Sequence, residues 1–551
     1  MNIVDIRNID FKQNIRTNFK VIVSAIAFFC LNFTYLTKEK FLGLITSCVL
    51  ILILCAVFPP YNEFTKKQHK SIKVISFLSA LGITLSNRTV FYDFWIFSPI
   101  IKKINSLFCF DFDAALIISI LGSIAALLFI YLLTLFLLSE VYKIIKDTNL
   151  IKTLSISEIA FYLAIIIFYV GFIILVFLRT DAFYGKELSF DVIYTSDSSS
   201  LMNNNVYMNI YHSENDIRQP LFALFAAPFL GIWYLLGSVL FNSDIAKAVL
   251  MDIGQFILLF FSNFLICKMV CKNSKQRIAL MLLISCTYTT VLFSLMIEQY
   301  IVTFFWLVLA TYRIIQDKED KITLYGASGT LLTSGLLFPI SAFVISTDAK
   351  SVIVRVFKIG IGFILLLIAS GRLDVILNAI SQLKKLSSFG GNSLTFVDKI
   401  IQYTFFLRNL FLGPMAGVYT NDLGNVSWQL DTPESLSVLG LCVIALCILS
   451  CIINKKIDIV KFSTLWAIYS FILLVIIGWG TSENGLILYS LYFGWPYIVL
   501  IYHLFLNLEN KFKVKDLSIV ICIFIAIILI VYNYKYIYDM INFASSFYPV
   551  Y

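Results

Sequence analysis

Apolar runs about as long as a bilayer is thick recur along the whole chain, and short polar turns separate them. A membrane-crossing helix needs roughly 20 predominantly apolar residues, and on that rule the pattern predicts an all-α bundle of about 14 transmembrane helices. The first five runs lie near 18–36, 41–58, 72–86, 114–138 and 157–178. Six more lie near 221–240, 247–269, 278–296, 299–315, 322–343 and 352–369, and the last near 436–454, 459–478, 485–506 and 517–533. No repeat or low-complexity linker divides them, so a single integral membrane domain over 1–551 is the economical expectation.

Two long polar stretches break the pattern, at 179–220 and 371–433. The first holds Asp181, Asp191, Asp197, Glu214 and Asp216, is rich in Asn, Ser and Tyr, and ends in Arg218-Gln219-Pro220-Leu221 where the next apolar run begins. Such a composition suits either a solvated connector or a surface that binds a hydroxyl-bearing ligand. In the second stretch, Val375, Ile376, Ala379, Ile380, Leu383 and Leu386 recur at helical spacing. The spacing predicts a helix over 374–386 lying flat on the membrane with one apolar face down. A second helix is expected over 397–413, followed by a turn-rich patch at 421–435.

Composition fixes the class. With 60% hydrophobic and 14% charged residues among 551, and a mean hydropathy of +0.88, the chain is not a soluble globule. The net charge of +9 could suggest nucleic acid, but Lys and Arg cluster in short turns between apolar runs, as cytoplasmic loops of membrane proteins do. The clusters at 66–70, 143–152, 455–456 and 511–515 therefore mark the cytoplasmic side and put both long polar stretches outside. Simple alternation strands Lys272, Lys275 and Arg277 outside as well. Broken or re-entrant runs near Pro228–Gly231 and Gly326–Gly335 would return 272–277 and 313–321 to the cytoplasmic side and leave Glu298 facing out. Most of the 11 Cys lie inside apolar runs and read as small core residues. The N-terminus reads as a retained anchor, and the bias toward Ile, Lys, Asn and Phe is that of a bacterial chain.

Individual residues carry different weights. Asp111 and Asp113 could ligate a divalent ion from extended backbone, but a span boundary is the commoner reading. Glu298, between two apolar runs, is either a solvated carboxylate at a helix end or a site residue. A lone His503 near a span end reads as an interface residue before a proton relay, and Tyr489, Tyr492, Phe493, Trp495 and Tyr497 as a packing belt before a lipid or sugar path. No Gly-rich phosphate loop, H-E-x-x-H or G-x-S-x-G is present, which argues against nucleotide-driven chemistry.

The chain resembles the polytopic glycosyltransferases of the GT-C fold, in particular bacterial relatives of protein O-mannosyltransferases and aminoarabinose transferases. The resemblance rests on a span, a large outer loop with an early acid (Asp197 in Tyr-Thr-Ser-Asp-Ser), and the return into the membrane at Arg218-Gln219-Pro220-Leu221. Glu298-Gln299-Tyr300, followed by an apolar helix, is similar to that family's second acid-bearing segment. It covers 157–343, with 1–156 as extra N-terminal spans and 344–551 as C-terminal spans; Ser198 stands where the family usually has a second acid. The resemblance implies metal-independent, inverting transfer of a sugar from a polyprenyl-phosphate donor to an envelope glycan, lipid or polymer acceptor, with no cofactor. It assigns Asp197 as general base, Asp191 and Asp181 being the alternatives. Arg218 or another cation would meet the lipid phosphate, Glu214, Asp216 and Glu298 would orient hydroxyls or hold that Arg, and Gln219 is a further substrate-binding candidate. Two rivals remain: a carrier or flippase for a polar lipid or glycan, and an envelope polysaccharide polymerase or ligase.

Overall fold

A computed structural model describes residues 18–20, 69–86, 114–147, 150, 153–185, 188, 192–209, 217–237, 243–316, 321–345, 348–369, 372, 375, 390, 394–481 and 486–550. Nearly all of the two earliest predicted spans, Asp111 and Asp113, Asp191, Glu214, Asp216 and nearly all of the expected 374–386 helix lie outside these residues. The described chain is mostly helical. Among the described residues, six helices are long and apolar enough to cross a membrane: Leu127–Lys146, Ile156–Phe177, Asp244–Val270, Asp458–Ile477, Leu486–Phe512 and Leu517–Phe547. That is consistent with an all-α membrane protein. Most of the other predicted spans that are described are shorter or interrupted, at Phe222–Leu236, Tyr300–Ile315, Leu332–Ile345 and Val438–Asn454.

The two interruptions fall where Gly and Pro predict them. The run after Pro220 is divided into Phe222–Ala226, a π-helical turn Ala227–Gly231 and Ile232–Leu236, with Pro228 in the first positions of the π turn. Proline removes an amide donor and crowds the preceding turn, so the ladder widens there. The run after Lys321 is helical over Lys321–Thr330, turns extended at Leu331 (φ −155°) and resumes as the 3-10 turn Leu332–Leu336.

Contacts sort the chain into two compact units, one made of 1–149, 205–235 and 361–379 and the other of 150–204, 236–360 and 380–551. In the first, helices Lys70–Ser86 and Ala114–Asp147 pack together, and Ser79 donates to the Ala227 carbonyl at 3.3 Å. The second contains five of the six long helices, and its hydrogen bonds define two ends. At one end the Arg277 guanidinium grips the buried Glu158 carboxylate with two bonds of 2.5 and 3.0 Å, and Lys268 Nζ donates to Thr153. Cys271 reaches Tyr502, Asn507 reaches Asn454, and Glu509 accepts from Ser518, so the basic turns 272–277, 455–456 and 511–515 share this end. A fork-to-fork Arg–carboxylate pair is the form in which two buried charges satisfy each other.

The opposite end gathers the loops. Thr180 donates to the Ala544 carbonyl at 3.0 Å, Asp181 N to Tyr548 O at 3.1 Å, and Gln402 Nε2 to Thr481 O at 3.4 Å. The expected second helix is present as Phe396–Asn409, opened by a reciprocal cap between Thr395 and Asp398. The patch read as turns is largely an antiparallel hairpin, Ala416–Thr420 paired with Val426–Leu430. Its strands carry Val, Tyr, Thr and Trp, and its loop closes through Asn421 Oδ1, which accepts from Leu423 N and Asn425 N, with Gly424 at φ +80°. Turn chemistry dominates that stretch of sequence, and five-residue strands leave little periodic signal.

Helix Phe396–Asn409 is held against Val438–Asn454 by close backbone approach. A Cβ on Gly440 would meet the Thr404 carbonyl oxygen at 2.0 Å, a contact no side-chain shift relieves. Gly440→Ala is therefore expected to cost about 1–3 kcal/mol by forcing the helices apart, read as a lower midpoint of thermal unfolding in detergent. An unchanged midpoint would show that this contact does not set the packing.

Candidate functional site

Two acids far apart in sequence meet within the second unit. The backbone N–H of Asp197 donates to Glu298 Oε1 at 3.0 Å across 101 residues of chain. Glu298 N in turn donates to Gln255 Oε1 at 3.0 Å, which ties the pair to helix Asp244–Val270. Glu298 is fully buried, so the solvated helix-end reading of this carboxylate does not hold. Local geometry explains its position: the chain leaves Tyr288–Phe293 through Ser294–Gln299 and begins Tyr300–Ile315 immediately afterwards, which sets Glu298 in the bend between two helices.

Asp197 occupies the N-cap position of the short helix Ser198–Asn203 yet does not cap it. Its φ and ψ are −83° and 16°, not extended, and its carboxylate accepts no cap bond. Whatever that half-buried carboxylate does, it is not spent on the helix it precedes. The approach to it is strained and well fastened. Tyr194 has φ +54°, in the left-handed region that costs an aromatic residue about 1–3 kcal/mol. It is held there by Tyr194 N to Trp428 O and Gln429 Nε2 to Tyr194 O, both 2.7 Å, and by its hydroxyl against that of Tyr288. Burial pushes the Tyr194 phenol well above its usual range, so it acts as a neutral hydrogen-bonding post. The hairpin thus fixes the segment that delivers Asp197.

Around this pair lie buried polar atoms with no hydrogen-bond partner among the described residues: Ser198 Oγ, Gln299 Oε1, Thr303 Oγ1 and both carboxylate oxygens of Asp252. Ser198 adjoins Asp197, Gln299 adjoins Glu298, Thr303 follows one turn later, and Asp252 stands one turn before Gln255 on the same helix. A buried polar group without a partner costs about 1–3 kcal/mol, so five such atoms in one neighbourhood are not there for stability. They can receive a polar, hydroxyl-rich ligand or ordered water. Asp252 escaped the sequence reading, although an acid inside an otherwise apolar run is itself the signal of a functional position.

The remaining expected site residues divide. Arg218, half-buried, and Gln219, buried with Oε1 unpartnered, belong to the first unit, in the turn that opens helix Phe222–Ala226. Asp181 sits in a turn tied to Tyr548, apart from the Asp197–Glu298 contact. Asp191, Glu214 and Asp216 lie outside the described residues. His503 is buried near the basic end with Nε2 unpartnered among the described residues, and the aromatic run from Tyr489 packs as a mesh, Tyr492 stacking on Tyr300 at 5.6 Å. The described cysteines are free thiols, and no cluster of three potential metal ligands occurs among the described residues. Compared with known proteins, the chain matches no family model, no curated protein and no solved structure.

Proposed function

We propose that this protein is a multi-pass glycosyltransferase of the cell membrane that moves a sugar from a polyprenyl-phosphate carrier to a hydroxyl of an envelope glycan, lipid or polymer at the outer face. The observation that carries the reading is the contact of Asp197 with Glu298, which joins the two acids that the resemblance to GT-C enzymes singles out. The surrounding unpartnered polar atoms suit a substrate with many hydroxyls. The basic turns 272–277, 455–456 and 511–515 gather at one end of the second unit, which supports a cytoplasmic face there by the positive-inside rule.

In the proposed reaction the acceptor O–H gives its proton to the Asp197 carboxylate as its oxygen attacks the anomeric carbon. The bond from that carbon to the phosphate oxygen breaks, and polyprenyl phosphate leaves with the electron pair, inverting the centre. Glu298, Gln255 and Asp252 orient hydroxyls of the sugar.

A second reading, a carrier for a polar lipid or glycan, is favoured by the break at Leu331 before Leu332–Leu336, by the π turn at Ala227–Gly231 and by the buried Asp252. Proteoliposomes loaded with a radiolabelled polyprenyl-phosphate sugar separate the two. The enzyme reading expects label to pass to a water-soluble or lipid acceptor with release of polyprenyl phosphate. Intact labelled donor appearing in the opposite leaflet, with none transferred, would establish the carrier instead.

A further inference from the structure

The loop end of the second unit holds a cleft of about 290 Å³ between helix Phe396–Asn409, the segment following the hairpin and residues 486–487. Its lining includes Gln402, Phe405, Asn409, Asp431, Glu434 and Ile487. The volume is that of a small-molecule site, and the mixture of an aromatic ring, two amides and two carboxylates is what a hydroxylated ligand needs, since its hydroxyls both donate and accept. The polar groups are set in place beforehand. Gln402 is oriented through Nε2 to Thr481 O, Asn409 Oδ1 accepts from Arg408 at 2.9 Å, and Asp431 Oδ1 accepts from the Tyr419 hydroxyl at 2.9 Å.

Charge narrows the ligand further. The lining has two carboxylates and, among the described residues, no cation. Of the cations of the adjoining helix, Arg408 stands just outside the lining, donating to Asn409 Oδ1, Gly413 O and the Tyr532 hydroxyl and lying over the Phe405 ring at 5.9 Å, while Lys399 donates to the Gly390 carbonyl. A phosphate placed here would meet like charge at short range, whereas a neutral or amino-bearing sugar would not. Both walls lead to the acid pair: the hairpin is paired to 192–194, three residues before Asp197, and Ile487 lies two residues before Tyr489, whose ring packs on Tyr300 at 5.9 Å beside Glu298 and Gln299.

We propose that this cleft is the acceptor subsite and binds a neutral or amino-bearing sugar residue of the glycan that is to be extended. The proposal rests on the glycosyltransferase reading and names the end of the reaction that reading leaves open. Asp431 and Glu434, exposed and screened by solvent, disfavour the lipid-phosphate donor in the cleft.

Saturation-transfer NMR on the full chain in lipid nanodiscs, with methyl glucoside, glucosamine and glucose 1-phosphate as probes, tests it. The first two should receive magnetisation through the cleft, whereas any response of glucose 1-phosphate, which the proposed donor site also accepts, should be indifferent to changes in the cleft. Phe405→Ala, at a half-buried position, should remove most of the response to both. Asp431→Asn combined with Glu434→Gln should weaken glucosamine about tenfold and leave methyl glucoside within about twofold, as expected for two solvent-exposed charges. A phosphate response that is lost in the cleft variants, no response to any probe, or indifference of the sugars to both cleft variants would overturn the subsite. If the sugars bind as described while the wild type transfers nothing, the cleft stands as a glycan site and the enzyme reading falls. If the wild type transfers sugar while the cleft variants still bind and transfer normally, the subsite falls and the enzyme stands.

Discussion

Asp197→Asn is expected to reduce sugar transfer by about 100-fold to 10,000-fold while leaving the protein folded and able to hold its donor. An amide keeps the shape of the carboxylate and part of its hydrogen bonding, but it cannot take the acceptor's proton. The fold should be indifferent to the change, because Asp197 meets Glu298 through its backbone N–H and its side chain caps nothing. Glu298→Gln should behave differently. It keeps an oxygen for the Asp197 amide but removes a fully buried negative charge, so transfer should fall by about 10-fold to 100-fold, the value of a charge-assisted hydrogen bond. Transfer rates from purified protein in lipid, with donor binding followed in parallel, distinguish the two. Wild-type turnover in Asp197→Asn with loss in Asp181→Asn or Asp191→Asn would move the base without removing the enzyme.

Asp252→Leu is expected to make the protein more stable and less active at once. Both Asp252 oxygens are buried without a hydrogen-bond partner among the described residues, on a helix apolar enough to cross a membrane. Replacing them with an apolar side chain of similar size should recover about 1–3 kcal/mol and raise the unfolding midpoint. A residue kept at that cost contributes something other than stability. If it holds a sugar hydroxyl, losing the bond should slow transfer about 10-fold to 100-fold, with Asp252→Asn in between. A variant that is both stabilised and fully active would show that Asp252 has no part in the site, and a destabilised one would show that it has a structural partner.

The sequence made the membrane class, the long helices and both helix breaks legible, because each has a local cause: runs of apolar residues, Pro228 and the glycines near Gly326. It also singled out Asp197, through the resemblance of its polar loop to that of GT-C enzymes, and Glu298, because an acid at the margin of apolar runs is costly and therefore conspicuous. What joins them was not legible. The contact depends on a bend at Ser294–Gln299 and on a hairpin whose strands of five residues each are paired to 192–194, and pairing across more than 200 residues leaves no local trace. Asp252 and Gln255 were missed for a different reason. The run around them is apolar enough to be read as a plain span, and only the fold shows that Gln255 faces Glu298.

The most direct measurement of the central claim is a single turnover. The full chain in nanodiscs is mixed with an isotopically labelled polyprenyl-phosphate sugar and a glycan acceptor, and the anomeric carbon is followed by NMR. The account predicts that the labelled signal moves from the phosphodiester to a glycoside of inverted configuration, that polyprenyl phosphate appears in equal amount, and that Asp197→Asn shows neither. A donor that stays intact with wild-type protein and acceptor both present, or a product of retained configuration, would contradict it.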